Sequence, residues 1–162
     1  MIPCLIIYTN ESYFYKSLEI YNSGNSMASF YKDYSEKGLR KPFLEPSVKV
    51  QVAQNLFRYN FPQEGKLVLQ KLLLEDSRNL NALKLASFVA EAESRFADAL
   101  YLRKKIEILD PWNLTNLVAL GSDANQVNDK VEIGRVVSRL NNYPLKTPEV
   151  VKALDNVTTM LK

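Results

Sequence analysis

One short string recurs in this chain at a fixed interval. Asp76-Ser77-Arg78-Asn79-Leu80 returns as Asp110-Pro111-Trp112-Asn113-Leu114, 34 residues further on. Each copy follows an apolar helical run. Leu72-Leu73-Leu74 precedes the first, and Ile106 with Ile108-Leu109 precedes the second. A recurrence of this length fits a pair of antiparallel helices. One such pair cannot bury its apolar face alone, so it stacks on its neighbours.

The rest of the chain can be set in that register. With Pro111 as the closing proline of a unit, helix A reads Leu83-x-x-Ala86-Ser87-x-x-Ala90 and helix B reads Ala99-x-x-x-Arg103, then Ile106. Arg103 departs from the pattern, which expects an apolar residue there. One period earlier, Val52-Ala53-x-x-Leu56 is followed by Gly65-x-x-x-Leu69 and Leu72. Lys49 departs at the first position, and Ser77 stands where the proline would be. One period later, Leu117-x-x-Leu120-Gly121-x-x-Ala124 is followed by Ile133-x-x-x-Val137 and Leu140, with Pro144 one residue short of register. Small residues at Ala53, Ser87 and Gly121 let helix B approach helix A, while the large residues fill the seam between repeats.

Both ends extend the pattern. Residues 11–45 read as a divergent unit. It has a helix at Ser12 to Tyr21, a turn at Asn22-Ser23-Gly24-Asn25, and a second helix from Met27 to Lys37 that stops at Gly38. Pro42 and Pro46 then break the chain. Further units fall at about 46–79, 80–113 and 114–146. Thr147-Pro148-Glu149 opens a last helix, residues 147–161, with Thr as N-cap and Pro at the first helical position. This unpaired helix would cap the stack.

Composition narrows the function classes. A chain of 162 residues that is 46% hydrophobic and 24% charged fits an ordinary globular domain. The net charge of +3 is scattered, with Arg103-Lys104-Lys105 followed by Glu107, so no nucleic-acid stripe stands out. There is no histidine and one cysteine, Cys4. Histidine-based acid/base catalysis, histidine metal sites and internal disulfides are therefore absent. No phosphate loop or nucleophile elbow occurs, and the chain is expected to be neither an enzyme nor a cofactor carrier. Residues 1–10 form an apolar segment. Its run from Met1 to Tyr8 is too short to span a bilayer; it reads as a helix extension on the first repeat, or as the tail of a membrane helix.

The repeats resemble the tetratricopeptide superfamily over residues 11–161. A narrower resemblance links Lys105 to Asn113, and Lys41-Pro42-Phe43-Leu44-Glu45-Pro46, to repeats at the C-terminal end of bacterial O-antigen ligase and polymerase proteins. The implied fold is all-α. It is a short right-handed superhelix of three to four helix pairs plus a C-terminal capping helix.

Helix A faces line the concave groove of such a stack, which is its usual binding surface. By register the groove residues are Val50, Gln54, Phe57 and Arg58, with Ser47 beside them. Asn81, Lys84, Phe88 and Glu91 come from the next unit, and Thr115, Val118, Ser122 and Asn125 from the third. Tyr13, Lys16 and Ile20 are their equivalents in the divergent unit. Phe57 and Phe88 are either exposed anchors, with Arg58 and Lys84 poised to pair a carboxylate, or core residues between helices. The Lys and Asn set with which some family members clamp a C-terminal carboxylate is incomplete here. Trp112 is expected to cover the junction between two repeats, with Asn113 capping the next helix.

The expected function is protein or peptide binding as an adaptor or assembly scaffold. The alternative is a soluble accessory domain of an O-antigen ligase-like protein in envelope polysaccharide assembly. A free-standing adaptor would be cytoplasmic, whereas an accessory domain would sit at the inner membrane with a membrane protein. Two arrangements stay open: a monomer, or a homodimer through the N-terminal end where Tyr13, Phe14 and Tyr15 cluster.

Overall fold

The 34-residue interval is written into the backbone. Left-handed residues occur at Asn60, Ser94 and Asn128, spaced by that interval. Each ends a helix in the same way. Phe61 N–H donates to the Leu56 carbonyl, Arg95 N–H to Ala90, and Asp129 N–H to Ala124. Asn60, Ser94 and Asn128 N–H groups donate to Phe57, Glu91 and Asn125. This paired closure is a Schellman motif, which satisfies the last carbonyls of a helix and turns the chain sharply. Helix starts repeat too. Asn79, Asn113 and Thr147 side chains accept from the N–H groups of Ala82, Asn116 and Val150. Asp76 and Asp110 in turn accept from the Asn79 and Asn113 amides.

The computed structural model describes residues 46–161. Among them every element is a helix: α1 Pro46–Arg58, α2 Pro62–Glu75, α3 Leu80–Ala92, α4 Phe96–Leu109, α5 Leu114–Gln126, α6 Lys130–Asn141 and α7 Pro148–Thr159. The chain is all-α over these residues, as expected. The apolar segment 1–10, the divergent unit 11–45 and its residues Tyr13, Phe14, Tyr15, Lys16 and Ile20 lie outside the described residues.

Two compact units divide the chain, Met1–Ala82 and Leu83–Lys162. In the first, α1 packs along α2. Val48, Val52, Ala53 and Leu56 on α1, and Val68, Leu69 and Leu72 on α2, are buried. The Phe57 ring lies over Gly65, where a Cβ would come within 2.9 Å of it. Lys49 is buried as well, and its ammonium reaches the Glu75 carboxylate at the far end of α2.

In the second unit α5 packs against α4, α6 and α7, and α6 also packs against α7. The core joins Leu100 of α4, Leu117, Leu120 and Ala124 of α5, Ile133, Val136 and Leu140 of α6, and Ala153 and Val157 of α7. Gly121 is a point of close approach. A Cβ there would meet Val157 Cγ1 at 2.9 Å and Val136 Cγ1 at 3.6 Å. The small residue expected to admit helix B thus admits the following helix α7 even more closely.

Candidate functional site

The second unit holds an open cleft of about 730 Å³. Its walls are α5 and α7, with the end of α3 and the start of α4 closing one side. The lining is Glu91 (α3), Phe96 (α4), Leu114, Thr115, Val118, Ala119, Ser122 and Asp123 (α5), and Glu149, Lys152, Ala153 and Asn156 (α7). Helical spacing explains the arrangement. Thr115, Val118, Ala119 and Ser122 fall at i, i+3, i+4 and i+7 on α5, which is one face. Glu149, Lys152, Ala153 and Asn156 do the same on α7.

Buried charge lies at the base of this cleft. Arg103 of α4 stands at the position where the repeat pattern calls for an apolar side chain. It is only 11% exposed, with Glu91 at 26% and Asp123 at 3%. The Arg103 Nε–H points at both carboxylates, 2.8 Å from Glu91 Oε1 and 2.8 Å from Asp123 Oδ2. Nη2 also donates to Glu91 Oε1. Asn116 ties the group to the backbone, its amide donating to the Arg103 carbonyl at 3.1 Å. Two carboxylates therefore share one guanidinium. Burial and the nearby Glu91 carboxylate push Asp123 up to about 6, against the pull of Arg103. At the rim, bonds from the Thr147 hydroxyl and from its own backbone N–H hold Glu149 below the usual carboxylate range.

The residues expected to line a groove fall into distinct places. Glu91, Thr115, Val118 and Ser122 meet in the cleft. Asn125, half-buried near the end of α5, does not line it. In α3, Asn81, Lys84 and Phe88 are exposed, Phe88 at 65%. In α1, Gln54 and Arg58 are exposed. Val50 is 5% exposed and Phe57 is half-buried over Gly65, so these two serve packing rather than open surface. Val50 falls on the same turn as Val52 and Ala53, which are fully buried, and the ring of Phe57 fills space left by a missing side chain.

Asp123, Arg103 and Asn116 were missed as site residues. The departure at Arg103 was their signal, because a cation in an apolar register needs a buried partner.

A second ionic group joins α4 to α6. Arg135 forks onto Glu107 at 2.9 and 2.6 Å and also binds Glu132, which Lys104 approaches at 3.2 Å. Trp112 stacks edge-on with Tyr143 at 5.6 Å, and the Arg139 guanidinium lies over its ring at 4.4 Å. Tyr143 donates its hydroxyl to the Trp112 carbonyl. These contacts pin the α4–α5 turn to the end of α6, which accounts for an indole left 40% exposed. Among the described residues there is no metal-ligand cluster and no helix long and apolar enough to cross a membrane. No protein-family model, curated protein or solved structure matches the chain.

Proposed function

We propose that the chain is a binding module of the tetratricopeptide type, which holds a segment of a protein partner in the cleft between α5 and α7. The observation that carries this reading is the meeting of Glu91, Thr115, Val118 and Ser122 in one cleft. These residues come from successive helices A of the 34-residue register, and stacks of this type bind along those faces. The recurring turns at Asn60, Ser94 and Asn128 and the recurring caps at Asn79, Asn113 and Thr147 support the same assignment. In it, α1–α2 and α5–α6, which pack together, are helix pairs of the repeat, and α7 is the cap. The mechanism is preorganisation: a cleft walled by packed helices orders little on binding, so affinity comes from a few contacts.

The test is selection of peptides from a random display library on the intact chain, with Ser122→Trp as the comparison. Ser122 lines the cleft and is half-buried, so an indole there fills it. Selected peptides should shift the amide resonances of Thr115, Val118 and Ser122 and should lose binding to the variant, whose helicity stays unchanged. Peptides that bind the variant equally well would remove the cleft from the function.

A further inference from the structure

The cleft has apolar walls and a charged floor that does not balance. Leu114, Val118 and Ala119 on α5, Phe96 on α4 and Ala153 on α7 form the walls. At the floor, Glu91 and Asp123 face a single guanidinium, that of Arg103. Glu149 and Lys152, one acidic and one basic, also line the cleft and are exposed. One negative charge is thus left over in a place where Asp123 is almost fully shielded from water. A buried charge without a full partner is costly, and a cation brought to it removes that cost. Arg103 brings one positive charge to both, and its Nη1 turns to Asn116 Oδ1 at 3.5 Å. Its Nε–H is already shared between the two carboxylates, and its Nη2 is spent on Glu91.

We infer that this cleft recognises a peptide segment through a lysine or arginine side chain, whose charged end is drawn to the Asp123–Glu91 floor while its methylene stem lies along Phe96, Val118 and Ala153. The inference rests on the peptide-binding reading above and names the chemistry of what is bound. Lysine and arginine match the cleft at both ends, because their stems are apolar and only their tips are charged. A cleft of about 730 Å³ has room for such a side chain together with the apolar neighbours of its own segment. A partner's carboxylate would meet three acidic groups and is disfavoured. The raised Asp123 carboxyl fits the same picture, since burial and the nearby Glu91 already disfavour its negative charge.

The probe is a set of three capped pentapeptides, Ala-Leu-X-Leu-Ala, with X as lysine, norleucine or glutamate. Each is titrated into the isotopically labelled intact chain and followed by amide resonances. The lysine peptide should shift Val118, Ser122, Asp123 and Ala153. It should bind about tenfold or more tightly than the norleucine peptide, as expected for a charge-assisted bond replaced by an apolar contact. The glutamate peptide should bind weakest, and Asp123→Asn should erase the preference for lysine. Equal binding of lysine and norleucine peptides in the cleft would overturn the inference and leave the groove reading standing. Shifts confined to residues outside the cleft, with all three peptides, would overturn both. Shifts at these residues on simple dilution of the chain would assign the cleft to a second copy and overturn the inference as well. The peptide series needs no variant, so a misfolded Asp123→Asn does not weaken it.

Discussion

Two residues that break the apolar pattern, Lys49 and Arg103, have side chains only 11% exposed, and both are paired. The pattern located them, but their partners could not be read from the chain. Glu75 is 26 residues from Lys49, and Asp123 is 20 from Arg103. Only the packing of one helix on another brings them together.

The unequal roles around Arg103 set a mutational asymmetry. Arg103→Met leaves two shielded carboxylates facing each other and should cost about 3–5 kcal/mol. Asp123→Asn leaves a balanced Glu91–Arg103 pair and should cost far less. Chemical denaturation of both variants at neutral pH tests this, and equal losses would contradict it.

The acid side follows from Asp123, raised from 3.8 to about 6. Over that window the folded chain holds a proton that the unfolded chain has released, so this group's contribution to stability falls as pH rises. The natural chain should therefore lose stability relative to Asp123→Asn across those pH values. Glu91→Gln should lower the Asp123 titration midpoint seen by carbon NMR. Glu132 works in the opposite sense. Burial pushes it up, but the bonds from Arg135 and Lys104 outweigh that and hold it low. Referencing to Asp123→Asn separates the two.

At the level of elements, starts were easier to read than stops. Asn113 and Thr147 announce helix starts by residue type, and both accept the expected N–H bond. The stops at Asn60, Ser94 and Asn128 carry no glycine, the usual mark of a left-handed turn, so sequence composition hid them. Phe57 shows a different limit. Its spacing suited a groove anchor and a core residue equally, and the deciding fact was Gly65 on the partner helix.

The glycines allow a direct check of helix approach. Gly121→Ala would press a methyl to 2.9 Å from Val157 Cγ1 and should destabilise by about 1–3 kcal/mol, because valine has few rotamers with which to yield. Gly134 has nothing within 4 Å of an added Cβ. Gly134→Ala should instead stabilise by roughly 0.5–1 kcal/mol through helix propensity alone. Opposite shifts in melting temperature are expected. Shifts of the same sign would mean that α7 does not seat on Gly121 as described.

On the scale of the molecule, the all-helical class of the described residues was legible because caps, breaks and apolar spacing agree along them. The cleft was legible only in part. Its α5 wall followed from the register, while the α7 wall depended on seeing where an unpaired helix docks. That helix buries Val150, Ala153 and Val157 and carries one side of the cleft. Ending the chain before Thr147 should therefore lower the melting temperature and abolish peptide binding together. Retained binding by the shortened chain would show that α7 is not a wall of the site.

The turns and caps recur every 34 residues, but the charged floor does not. Glu91 and Arg103 belong to one period, and Asn116 and Asp123 to the next. Neither period alone holds this charged group; it forms only at the join. Repeats of this kind can be copied as units while their turns keep every helix in phase, yet a copied unit would inherit the turns and caps without the charged floor. Under the proposed function, what the cleft binds can thus drift through a handful of side chains at one seam, with the architecture that presents them left untouched.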